Sequence, residues 1–257
     1  MASKQATGPG HDRIDQDNTA PGPLEMDGLP MPRRIWAICA ISFGTALFVV
    51  DGAIANVALP TIARDLSVSN GAVTSVVTVY QLVMVMVLLP FATIGDRIGH
   101  RRLYQIGQVI FFLASAAALL IDSFWHLIAV RVLQSFGAGI ALSVSAAMLR
   151  TIYPAKSLGS GLGINSVIVA TAYAVAPTLG GFIVEHLDWR WVFVAAAPLA
   201  LISLAIGRFL PEPEPRSGRV DTISGLWSAL TALLLIGGLT LATHDMIVPG
   251  LAAIVAG

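Results

Sequence analysis

The chain has 257 residues, 56% of them hydrophobic and 12% charged, with a mean hydropathy of +0.78 and no formal net charge. That composition lies outside the range of soluble globular domains and carries no basic surplus for nucleic acid. The single cysteine, Cys39, excludes an intrachain disulfide framework and, within an apolar run, reads as a small packing residue.

Residues 1–30 are polar and rich in Gly, Pro and Asp, and they lack the apolar core of a secretory signal peptide. They bury too little apolar surface to fold, so residues 1–32 are expected as a disordered tail on the cytoplasmic side where it is made. Apolar stretches follow at 35–55, 72–94, 103–121, 124–149, 158–184, 191–209 and 223–242. Each is about 20 residues long, enough for a helix to cross a hydrocarbon core of about 30 Å. The last run, 247–257, is about half a span, which leads us to expect a piece of a longer protein. The organisation expected is a six-span unit over 33–210, a cytoplasmic loop over 211–222, and a seventh span with a truncated eighth over 223–257.

The basic residues set an orientation. With the N-terminus inside, Arg33, Arg34, Arg97, Arg101, Arg102, Arg150, Lys156 and Arg208 fall on the cytoplasmic side, and the outer loops hold only Arg64 and Arg190. This follows the positive-inside rule for a multi-pass protein of the cell (inner) membrane. Trp36, Trp125, Trp189 and Trp191 fall at span starts, where interfacial aromatic anchors are expected.

In the first span, Asp51 is the only acidic group of an apolar run. A carboxylate at mid-span costs about 2.5–3.5 kcal/mol on insertion scales and marks a functional site by default. It shares a helical face with Ala37, Ala40, Gly44, Phe48, Ala55 and Ala58, small residues that permit close packing, so it points into a bundle. The turn after the second span reads ATIGDRIGHRR over 92–102, with Asp96, Arg97, Gly99 and Arg101 in a short helix–helix link. Asp96 is expected to accept from backbone donors at a helix start, and the arginines to pair with acids or helix C-termini.

In the fourth span, Arg131 lies roughly 10 Å from the outer boundary, followed by Gln134 and Gly137. Asp51 is expected roughly 6 Å below that boundary, close enough in depth to share one polar pocket with Arg131. Burial and a neighbouring guanidinium pull the carboxyl's proton affinity in opposite directions, a balance suited to reversible protonation. The fifth span carries Gly163, Ala172, Ala176, Pro177, Gly180 and Gly181; a proline among small residues suits a kink on which a neighbour closes, a hinge or proton-tight seam.

As an ordered set these passages resemble the major facilitator superfamily, specifically its fourteen-span drug:proton antiporter branch. The segment 50–60, VDGAIANVALP, with Asp51, Asn56 and Pro60, resembles that branch's first-span signature. Asp96, Arg97, Gly99 and Arg101 resemble the superfamily's loop between the second and third spans. Arg131, Gln134 and Gly137 are similar to its fourth-span motif, and Gly163, Pro177, Gly180 and Gly181 to the antiporter motif of the fifth. The sequence WRWVF at 189–193 resembles the branch's sixth-span opening, and the short 211–221 loop matches its fourteen-span layout. Departures are Ala53 for Thr, Ala92 for Gly, His100 for a basic residue, Ala172 and Ala176 for glycines, and Ala196 for Asn.

The resemblance implies an all-α integral membrane fold: the N-terminal six-helix lobe of a transporter, plus one full and one truncated span. It implies alternating access between two lobes built from inverted repeats, with the C-terminal lobe a partner missing from this chain. The activity implied is proton-coupled efflux of lipophilic, cationic drugs or biocides, with Asp51 as proton carrier or cation counter-charge and Arg131 and Gln134 beside it. The proton gradient is the energy source and no cofactor is expected; partners are a small-molecule substrate, protons and the lipid bilayer. Alternatives are an exporter of a defined metabolite, or a non-transporting remnant of a disrupted gene. An enzyme is disfavoured, because no paired carboxylates occur and the five histidines are scattered among tail, loops and span ends.

Overall fold

The computed structural model describes residues 28–212 and, beyond them, Trp227, Leu230, Thr231 and Leu234. All regular structure among the described residues is helical: α1 (Met31–Asp65), α2 (Asn70–Ile98), α3 (His100–Ala117), α4 (Phe124–Ile152), α5 (Leu158–His186), α6 (Trp191–Val194) and α7 (Ala197–Ile206), with three short 3₁₀ turns. Six segments are long and apolar enough to cross a membrane; the sixth, Trp191–Phe209, comprises α6, α7 and a closing turn. The protein is a multi-pass membrane protein. The expected stretches 223–242 and 247–257 lie outside the described residues, apart from the four named, which are helical.

Local chemistry sets the boundaries. Ser69 caps α2 by accepting from the Ala72 amide at 3.1 Å, and Ser123 caps α4 by accepting from the His126 amide at 3.3 Å. The link between α2 and α3 is one residue, Gly99, whose φ of +102° favours glycine. Pro198 lacks the amide that would bond back to Val194, and the helix divides between α6 and α7. The first helix begins at Met31, ahead of the apolar run and inside the stretch expected as tail; Leu29 donates to the Ile152 carbonyl at 3.2 Å, tying the entry of α1 to the end of α4.

Helix α4 packs along α2 and α3, while α1 packs along α5 and α7. Backbones approach closely at glycines. A Cβ on Gly107 of α3 would lie 2.6 Å from the Gly137 carbonyl of α4, and one on Gly137 would lie 2.6 Å from the Phe111 amide. The small-residue face of α1 is buried along its length, from Ala37 through Asp51 to Ala58.

Two expectations change. Helix α1 continues past residue 55, through Pro60, to Asp65. Its polar residues there do not end a helix, so Asp51 lies farther from the helix end than the apolar run indicated. Trp189 is not an interfacial anchor: it is 3% exposed and donates its indole N–H to Asp65 Oδ2 at 2.8 Å. Trp36, Trp125 and Trp191 are exposed as anchors should be.

Candidate functional site

The buried apolar residues fall into two clusters. One holds Ala37–Phe48 of α1 with Leu103, Tyr104 and Phe111 of α3 and the second half of α4 around Met148; the other holds Val50–Ala63 of α1 with Leu127, Ala176 and Phe193. Asp51 and Arg131 sit where the clusters meet. Both are fully buried, and Arg131 Nη1 donates to Asp51 Oδ2 at 2.9 Å. Arg131 therefore does not reach to the surface. The same Nη1 donates to Gln134 Oε1 at 3.1 Å, and Gln134 Nε2 donates to Ser115 Oγ at 2.9 Å and to the Phe193 carbonyl at 3.0 Å. The guanidinium lies 4.1 Å from the Tyr80 ring centroid and 5.1 Å from that of Phe193.

The pair is incompletely satisfied. Asp51 Oδ1, Arg131 Nε and Arg131 Nη2 are buried without a hydrogen-bond partner among the described residues. Leaving a buried polar group unpaired costs about 1–3 kcal/mol, more when it is charged.

Beside the pair, on the far side of Tyr80, lies a cavity of about 280 Å³ between α1, α2, α4 and α5. Phe48, Tyr80 and Tyr173 give it aromatic walls, and Thr45, Asn56 and Gln81 supply polar groups; none of its lining residues is charged. Asn56, from the first-span signature, donates to the carbonyls of Gly52 and Ala53, one turn back on α1. Pro60 lies farther along the same helix and is exposed.

The other anticipated residues lie elsewhere. Asp96, Arg97, Gly99 and Arg101 stay together at the α2–α3 turn, at the opposite end of α2 from its cap. There Asp96 pairs with His100 Nε2 at 3.1 Å and does not cap a backbone amide, because His100 is one helical turn away and presents the nearer donor. The neighbouring Arg102 pairs with Glu212 at 3.1 Å. In α5 the expected set divides by face. Gly180, with Ala172 and Ala176, packs on α1, where a Cβ on Gly180 would lie 2.9 Å from Ile54 Cγ1. Gly163 and Gly181 face open space, and Pro177 is exposed on the same helix.

Sequence reasoning missed Tyr80, Ser115 and a second buried network. Tyr104 donates to the Ala40 carbonyl at 3.0 Å and meets Ser203 Oγ at 2.9 Å, and Gln108 Nε2 donates to Ser203 Oγ at 3.1 Å. The signal was present: Tyr104, Gln108 and Ser115 recur along one face of α3 and are its buried polar stripe.

The profile of the Major Facilitator Superfamily matches residues 41–256. The chain belongs to the major facilitator superfamily. Among superfamily members it is 44% identical over 220 residues to the uncharacterized transporter YebQ of Escherichia coli K12, covering 84% of this chain and 48% of that protein. It is 32% identical over 184 residues to the riboflavin transporter RibZ of Clostridioides difficile, covering 71% and 40%. It is 33% identical over 191 residues to the puromycin resistance protein pur8 of Streptomyces alboniger, covering 74% and 38%. The chain thus spans less than half the length of each of these relatives. In fold it is similar to the proton:xylose symporter XylE, with a TM-score of 0.61 at 17% identity, covering 88% of this chain and 54% of that one.

Proposed function

We propose that this chain forms the first lobe of a proton-coupled exporter of lipophilic small molecules, working by alternating access, with its N-terminus in the cytoplasm. The observation that carries this reading is the buried Asp51–Arg131 pair, with three unpartnered polar atoms, next to an uncharged aromatic cavity. A carboxylate held by a single guanidinium nitrogen in an apolar interior can be released by taking up a proton, which is what reversible coupling needs. Similarity to pur8, a puromycin resistance protein, supports a drug-export reading.

The geometry favours Asp51 as proton carrier over Asp51 as counter-charge to a cationic substrate. Its carboxylate faces Arg131 and does not line the cavity. A lipophilic cation would instead be held by the faces of Phe48, Tyr80 and Tyr173. Asp96, Arg97, Gly99 and Arg101 form the turn on which the lobe would lock, and α5 presents Gly163 and Gly181 toward the second lobe as its seam.

A second reading is export of a defined metabolite. The similarity to RibZ and the amides of Asn56 and Gln81 in the cavity favour it, since they suit a planar polar solute. One experiment tests both. In an efflux-deficient host making the protein as it occurs in its own cell, resistance to ethidium and puromycin rises, and Asp51→Asn abolishes it. Resistance unchanged by Asp51→Asn removes Asp51 from the mechanism; no resistance, with export of riboflavin-like solutes, selects the metabolite reading.

A further inference from the structure

We propose that the Tyr80 side chain is the partition between the substrate cavity and the Asp51–Arg131 pair, and that its position decides when protons reach Asp51. The inference rests on the proton-coupling reading above. Tyr80 is 1% exposed and belongs to both sites: its ring lines the cavity and lies over the Arg131 guanidinium at 4.1 Å. Behind the ring, Asp51 and Arg131 are the two buried charged residues among those described, and the polar groups around them, Gln134, Ser115 and the Tyr80 hydroxyl, leave Asp51 Oδ1, Arg131 Nε and Arg131 Nη2 without a hydrogen bond. Water passing the ring would satisfy them.

The anchoring of Tyr80 allows its ring to move without its helix. Ser135 Oγ, one turn beyond Arg131 on α4, donates to the Tyr80 carbonyl and fixes the backbone. The side chain is held instead by the charged pair, its ring under the Arg131 guanidinium and its hydroxyl toward the Asp51 carboxylate. Its hydroxyl reaches the Phe48 carbonyl only at 3.5 Å, the long limit of a hydrogen bond. On the cavity side it faces Gly52, where a Cβ would stand in ordinary contact with Tyr80 Cε1 at 3.6 Å, so the glycine leaves that side of the ring without a side chain. A solute filling the cavity presses on the same ring and keeps it over the guanidinium. Occupancy of the cavity and proton access to Asp51 are thereby coupled through one side chain, and the coupling is reciprocal.

Tyr80 is a positioning residue in this scheme, so its test reads proton movement. The protein as made in its cell is purified into phosphatidylethanolamine–phosphatidylglycerol vesicles containing a pH-sensitive dye. An inward proton gradient is then imposed with no substrate present. Tyr80→Leu is expected to raise substrate-free proton influx about tenfold, a decade in rate for the barrier removed, and Tyr80→Phe, which keeps the ring, to raise it less. Adding Asp51→Asn to Tyr80→Leu returns influx to the background of protein-free vesicles. Tyr80→Met, whose unbranched side chain adapts better to an irregular space, carries the test where Tyr80→Leu does not fold. Influx unchanged in both Tyr80→Leu and Tyr80→Met overturns the proposal, as does a leak that survives Asp51→Asn. Ethidium-driven proton exchange that persists in the Asp51→Asn single variant defeats the underlying coupling reading instead, so the two failures are told apart.

Discussion

Asp51 of α1 and Arg131 of α4 meet through a single 2.9 Å hydrogen bond at the level where the apolar interior divides into two clusters. Removing one member of a buried ion pair costs about 3–5 kcal/mol, because the other is left uncompensated. The two members are not equivalent in this respect. A carboxylate left alone can be neutralised by a proton, whereas a guanidinium stays charged. Asp51→Asn should therefore lower the melting temperature of the purified protein more than Arg131→Met does. The double variant should recover most of the loss while remaining inactive in proton exchange. A double variant no more stable than Asp51→Asn would show that the pair is not the main interaction of either residue.

The glycines of the bundle separate into packing and open positions, and substitution should tell them apart. A Cβ on Gly137 has only backbone to displace, 2.6–2.7 Å away on α3. Gly137→Ala is expected to destabilise by about 1–3 kcal/mol, the usual range for overpacking. Gly163 and Gly181 have nothing within 4 Å. Gly163→Ala and Gly181→Ala should stay within about 0.5 kcal/mol of the original stability, while slowing export if α5 is the seam with a second lobe. Thermal melts beside efflux assays on the same variants separate the two effects.

Much of this was legible in the sequence, and the reasons are physical. Six spans, the buried face of α1 and the meeting of Asp51 with Arg131 follow from rules that leave few alternatives: hydrocarbon demands helices, and a buried charge demands a partner. Helix ends were less legible, because a helix does not stop where hydrophobicity does; α1 runs through Asn56 and Pro60 to Asp65. The pairing of Asp96 with His100 was not anticipated, because His100 was read only as a replacement for a basic residue and not as a partner one helical turn away. Tyr80 was invisible because an aromatic residue in an apolar helix is ordinarily core, and only the cavity behind it distinguishes this one.

The second polar network gives a third prediction. Ser203 Oγ donates to the Ala40 carbonyl at 2.8 Å and accepts from Gln108, while the Tyr104 hydroxyl packs where a side chain on Gly44 would stand. The network ties α1 to α3 and α7 far from the charged pair. Ser203→Ala strands the Gln108 amide and should cost about 1–3 kcal/mol; Gly44→Ala should cost at least as much by displacing Tyr104. Proton coupling, normalised to folded protein, should be unchanged in Ser203→Ala. A selective loss of coupling there would mean that the network takes part in transport.

The cavity gives the last prediction, because its polar groups are uncharged and its walls aromatic. Gln81 lines it, and Gln81→Glu is close in shape to the original side chain. The new carboxylate faces a space with no cationic lining residue, so it remains available to a solute. At an effective dielectric constant of about 20, a unit charge pair 4 Å apart is worth about 4 kcal/mol before desolvation is subtracted. A net gain of about 1.4 kcal/mol, tenfold in affinity, is a reasonable remainder. Gln81→Glu should then shift export toward ethidium, a lipophilic cation, and away from an uncharged dye such as Nile red, by about tenfold in the ratio of their half-maximal concentrations. Both dyes are measured in the same cells, so expression cancels from the ratio. A ratio that does not move would place the substrate path elsewhere than between α1, α2, α4 and α5, and Tyr80 would lose its place as a wall of that path.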